Sequence, residues 1–158
     1  MPDGNDEIIA APPARARALG AELVRIHDGL RRELAGLLAD VEDVLAGRSA
    51  DLPAPASGLG AQLSERCVAV CGDIRVHHAT EAGRGFTRLE ARFPELAPVL
   101  DQLRREHEVL AAMRRRVEET FGTGDAHRIH GALRRLAADL DVHFHREEEQ
   151  LVAALNAL

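Results

Sequence analysis

A chain of 158 residues, 46% hydrophobic and 29% charged, is long enough to bury one core without disulfide staples and reads as a single globular domain. Its net charge of -6 argues against nucleic acid or an anionic membrane as partner, and no apolar run approaches the roughly 18–20 residues of a membrane span. The acidic start MPDGNDEIIAAPP has no charged-then-apolar signal pattern, so a cytoplasmic location is expected. Aromatic residues make up 3% of the chain and Trp and Tyr are missing, so the core must be aliphatic.

Residues 1–12 read as a flexible tail, and residues 13–158 as one helical domain. From Pro13 to about Gly47, apolar residues recur at Leu23, Leu30, Leu34, Leu37, Val41 and Leu45, the spacing of an amphipathic helix. RSADLPAPAS (48–57) is a Pro-rich connector. A second helix carries Leu63, Cys67, Val70 and Ile74 on one stripe, weakens around Gly83 and Gly85, and must break near Phe93-Pro94. Cys67 and Cys71, four apart without further Cys at metal-site spacing, read as small core residues. The third helix starts near Leu96, tolerates Pro98 in its first turn, and places Leu100, Leu103, Leu110, Val117 and Phe121 inward. GTGD (122–125) is a turn. A fourth helix directs Ile129, Leu133, Leu136, Leu140, Phe144, Leu151 and Leu155 inward. No strand pattern appears, and four long helices with mostly short connections predict an all-α, up-down-up-down four-helix bundle.

Histidines fill gaps in these stripes. His27 lies between Leu23 and Leu30, His77 follows Ile74 by three, His107 lies between Leu103 and Leu110, and His143 follows Leu140 by three. Glu81 and Glu147 come four residues after His77 and His143, which puts each His and its Glu on one face, one turn apart. Counting about 1.5 Å per residue from the connecting turns brings all four helices' polar residues to one level. Six unpaired buried polar groups would cost several kcal/mol in a domain whose whole stability is about 5–15 kcal/mol. A metal site compensates them directly. Mixed imidazole and carboxylate donors suit iron, and zinc or manganese less well. Six or seven ligands are too many for one tetrahedral ion and fit two metals bridged by carboxylates. A zinc-protease HExxH is excluded because Ala111 stands where its second His would fall, and no His has the Glu three before it that ferritin-like di-iron bundles need.

The set His27 in RIHDGLRREL, His77, His78 and Glu81 in HHATE, His107 in RREHEVL, and His143 with Glu147 and Glu148 in HFHREEE resembles the hemerythrin-like HHE cation-binding domains over about residues 20–156. That resemblance implies a hemerythrin-like bundle around two non-haem irons, carboxylate- and oxo-bridged, that meets O2, peroxide, nitric oxide or a small anion. Oxygen-carrying members have a His-x3-His pair on the third helix. Here Leu103 and Ala111 flank His107, and one ligand is missing. His78, about 100° around the helix from His77, either leans towards the second metal in its place or faces a neighbouring helix. Glu147 is preferred to Glu148 as the carboxylate ligand, since a step of five residues rotates about 140° away from His143. His145 and Glu149 should be solvated, and His127 and His130 structural or exposed. The arginines Arg31-Arg32, Arg104-Arg105, Arg114–Arg116 and Arg134-Arg135 read as solvated faces.

Three functions follow as alternatives. The first binds, senses or detoxifies a small oxidant. The second is a di-iron oxidase or oxygenase for a small organic substrate, which needs a cavity of a few hundred Å³ reaching the metals. The third is an interaction module with a purely structural metal. Oligomeric state stays open.

Overall fold

The computed structural model describes residues 14–48 and 60–158, so the tail and most of the Pro-rich connector lie outside the described residues. Its long helices are α1 (Ala14–Leu45), α2 (Gly60–Thr80), α4 (Ala97–Thr123) and α5 (Ala126–Asn156), with the short α3 (Phe86–Arg92) between α2 and α4. No strand occurs among the described residues, and the architecture is the all-α bundle that the periodicity predicts.

Neighbouring helices run antiparallel, and the pairings show it directly. Along α1 and α5, Gly20 N–H meets Asn156 Oδ1, His27 meets Glu148, Arg31 meets Asp141, and Glu42 meets His130, so one number rises as the other falls. His27 and His77 continue that order between α1 and α2, below the Asp40–Arg66 pair. Each long helix packs on two others, in the ring α1–α2–α4–α5. The α4–α5 reversal is tight because Gly124 takes a left-handed conformation (φ 69°) and Asp125 caps α5, accepting from His127 N–H and Arg128 N–H.

The second predicted helix differs from its expectation. It does not merely weaken at its glycines; it makes one wide turn, a π-helical segment over Glu81–Gly85, and then resumes as α3. Buried residues along it run Ile74, His78, Glu81, Phe86, Leu89, and the step of five between Glu81 and Phe86 is the extra residue of that turn. Gly83 and Gly85 lie in it with open space where a Cβ would stand.

Two apolar clusters result. The larger runs through all four long helices and includes Leu37, Val41, Ile74, Val117, Leu133 and Leu140. Cys67 and Cys71 are buried in it, with sulfurs 4.0 Å apart. The smaller holds Phe86, Leu89, Leu100, Leu103 and Leu151, against which Leu155 is only partly buried. The polar layer lies where these clusters meet, at His107 on α4 and at His143 and Glu147, either side of Phe144, on α5.

Candidate metal centre

Helical registry carries seven polar side chains into this layer. α1 contributes His27, α2 His77 and His78, the wide turn Glu81, α4 His107, and α5 His143 and Glu147. His27, His78, Glu81, His107, His143 and Glu147 are buried, and the His77 side chain is 8% exposed.

They assemble as two groups whose donor atoms lie within 4.8 Å of one another: His78, Glu81, His107 and His143, and His27, His77, Glu81 and Glu147. Glu81 belongs to both. Its Oε1 is 2.9 Å from His77 Nε2 and its Oε2 is 3.2 Å from His107 Nε2, one oxygen towards each group. Glu147 Oε2 stands 3.4 Å from the Nε2 atoms of both His27 and His143. Within the groups, His27 and His77 approach Nε2 to Nε2 at 3.0 Å, and His107 and His143 at 3.1 Å. Two donors at right angles on a cation with bonds of about 2.1 Å stand about 3.0 Å apart. The spacing therefore fits donors sharing a cation.

The unsatisfied atoms point the same way. Both oxygens of Glu81, both oxygens of Glu147, and His78 Nε2 are buried without a hydrogen-bond partner. Several lie within 3.5 Å of a neighbouring donor atom, but without the alignment a shared proton needs. Buried polar groups left in this state are costly, and a cation relieves all of them together. Burial pushes the imidazoles down, His77 and His107 to about 4 and His78 to about 2, so they are neutral near pH 7 and keep lone pairs to donate. Burial and the adjacent Glu147 carboxylate hold Glu81 well above the usual carboxylate range. Burial also raises Glu147, but the contacts of His143, His27 and Glu81 outweigh it and hold Glu147 well below that range. Without a cation Glu81 thus tends to keep its proton while Glu147 is ionised, and a cation takes that proton's place.

Two acids back the layer from outside. His27 Nδ1 is 2.8 Å from Glu148 Oε1, and His143 Nδ1 is 2.7 Å from Glu106 Oε2. Each contact keeps the Nδ1 proton and leaves Nε2 free to ligate. Glu148, the rival of Glu147, therefore stands behind His27, while Glu147 enters the layer. Arg31 ties Glu148 to Asp28 and Asp141, with contacts of 2.8–2.9 Å, so the expectation of a solvated Arg31 is overturned. Arg146 pairs with Glu106. His145 is 62% exposed, Glu149 and His127 are exposed, and His130 pairs with Glu42 at 3.0 Å.

Glu106, Arg146 and Arg31 are the parts sequence reasoning missed. The only local signal is that each backing acid adjoins a ligand, Glu106 before His107 and Glu148 after Glu147. A neighbouring position, turned about 100° away, points at the adjacent helix.

The layer is not sealed. A cleft of about 400 Å³ between α2 and α4 reaches His78 and His107. Ala79, Ala82 and Ala111 leave it open, and Arg75, Arg104 and Arg114 border it. Ala111 and Leu103 are the two positions four residues from His107, and only Ala111 borders this cleft. Arg114 is half-buried rather than solvated, and faces Glu118 at 3.6 Å.

A family model described as the hemerythrin HHE cation-binding domain matches residues 19–156, nearly the whole chain. Comparison with curated proteins and with solved structures returns no match.

Proposed function

The chain belongs to the hemerythrin HHE cation-binding domain family, and on that premise we propose that it is a non-haem di-iron protein that binds, senses or detoxifies O2, peroxide or nitric oxide. The observation that carries this reading is Glu81, which turns one oxygen to each of two histidine groups. A donor set of five imidazoles and two carboxylates suits iron. Bound there, a pair of irons supplies one-electron redox change and an exchangeable position for a small ligand.

The protein's own residues do the rest. Three histidines converge in one group and two in the other, so the two positions are chemically unequal. Glu148 and Glu106 orient His27 and His143 and raise their basicity as donors. Phe144 stacks on His27 with ring centres 4.0 Å apart, and Phe86 lies 5.3 Å from His107. These rings shield His27 and one face of His107 from bulk water, and solvent access tunes the potential of any bound metal.

The α2–α4 cleft favours a second reading, oxidation of a small organic substrate, because its volume exceeds the needs of a diatomic gas. Metal analysis with optical spectroscopy tests both. About two irons per chain are expected, with a visible absorption change when azide is added to the oxidised protein. At most one metal under iron-replete conditions would overturn the dinuclear site. A spectrum that ignores O2, peroxide and azide alike would leave only a structural metal.

A further inference from the structure

A second cleft lies in the groove between α4 and α5, at the end of the bundle away from the metal layer. Its volume is about 440 Å³, and Arg116 and Thr120 border it from α4 and Arg128 and Arg135 from α5. Along α4 the cleft runs from Met113, six residues or about 9 Å from His107, to Thr120, 13 residues or about 20 Å away, and it shares no lining residue with the metal layer. This site therefore stands independently of the metal reading.

What marks this cleft is three arginines in one lining with no acid among them. The chain has 26 acids and 20 basic residues, and Arg25, Arg31, Arg48, Arg66, Arg104, Arg114 and Arg146 each pair with an acid. Among the described residues, Arg116, Arg128 and Arg135 form no ion pair, and no carboxylate borders their cleft. None of the nearby acids lines the cleft, Glu119 included. Asp125 accepts from the N–H groups of His127 and Arg128 at 3.1 Å, Glu118 faces Arg114, and Asp139, one turn beyond Arg135, borders a separate cleft.

Helix geometry makes the convergence systematic. Arg128 and Arg135 are seven apart on α5, hence on one face two turns apart. Arg116 and Thr120 are four apart on α4, and the Thr120 hydroxyl donates to the Arg116 carbonyl at 2.6 Å. Gly131 leaves open space where a side chain would begin, and Ala132 and Met113 provide an apolar wall. Three fork-shaped donors without acceptors, around a cavity of this size, match an anion with several oxygens and more than one charge. We propose that this groove binds a small organic phosphate, its phosphate oxygens held by Arg116, Arg128 and Arg135 and its carbon skeleton laid against Met113 and Ala132.

Calorimetric titration of the metal-loaded protein with pyrophosphate, at fixed ionic strength, tests the proposal. Saturable binding is expected, weakened about tenfold or more by Arg128→Gln or Arg135→Gln, since one charge-assisted contact is worth about 1.5–3 kcal/mol. Arg134→Gln, beside the cleft but outside it, should bind as the parent does, and circular dichroism should show every variant folded. Arg75→Gln, at the metal-side cleft, should also leave binding intact. Loss of binding in Arg75→Gln with retention in Arg135→Gln would mean that the anion goes to the metal, and would overturn the site. So would equal competition by acetate at the same ionic strength, which marks diffuse charge attraction.

Discussion

Glu106 Oε2 lies 2.7 Å from Nδ1 of His143, on the opposite side of the ring from the Nε2 that approaches His107. A carboxylate from one helix thus sets the tautomer of a ligand on the next. Glu106→Ala is expected to weaken metal binding about 10–100-fold while leaving the helices intact. Glu106→Gln, which keeps an accepting oxygen, should recover part of that loss. Competition with a chelator of known affinity measures it, and equal affinity in Glu106→Ala and the parent would refute the role.

His78 and His145 separate the layer from its surface. His78→Ala removes a buried donor and should lower the bound metal and the apparent melting temperature. Each hundredfold loss of metal saturation removes about 2.7 kcal/mol of linked stability. His145→Ala should be near neutral, since that ring is 62% exposed. Metal content that falls in His145→Ala but not in His78→Ala would reverse the assignment.

Metal-free protein should be most stable near pH 6–7. His77 and His107 are pushed down to about 4, so between about pH 4 and 6.5 the unfolded chain binds more protons than the folded one. Stability therefore rises with pH across that window. Glu81 is raised, which acts oppositely: the folded chain holds its proton above pH 4.5 and loses stability as pH climbs through the raised value. Three histidines, His78 included, outweigh one carboxylate below pH 6.5, and above it their contribution is complete while that of the raised Glu81 is still being lost. Urea unfolding of chelator-treated protein across pH 4–9 should show this peak. Bound metal should remove the alkaline decline, because Glu81 then ligates without its proton.

Filling the α2–α4 cleft should affect access without affecting assembly. Ala111→Leu places a larger side chain beside His107 and should leave metal content unchanged while slowing azide association severalfold in stopped-flow absorbance. An unchanged rate would mean that small ligands reach the layer by another path.

Much of the centre was legible because helical period is a local property. The spacing of His143 and Glu147 and of His77 and Glu81, and the interruption of aliphatic stripes by histidine, needed only the rotation of about 100° per residue. Those patterns selected the residues that the structure brings together, and the chain order of four amphipathic stripes was enough for the bundle.

The wide turn at Glu81–Gly85 was not legible in this way. Two glycines say that a helix is weak there, but the five-residue step appears only when Phe86 is seen to be buried alongside Glu81. His78 posed the same problem. It follows Ile74 by four and His77 follows by three, and both spacings fit one stripe. Which histidine serves which group depends on how far α2 is rotated against α1 and α4.

The sequence by itself therefore determined the helices, their inward faces and the level at which the polar residues meet, since each rests on periodicity within one segment. Only the tertiary structure decided that Glu81 is shared, that Glu106 backs His143, that Arg31 is engaged rather than solvated, and that three unpaired arginines border one groove. Those are relations between helices, and they depend on relative rotation and registry, which packing of the whole core sets and no single stretch of sequence encodes.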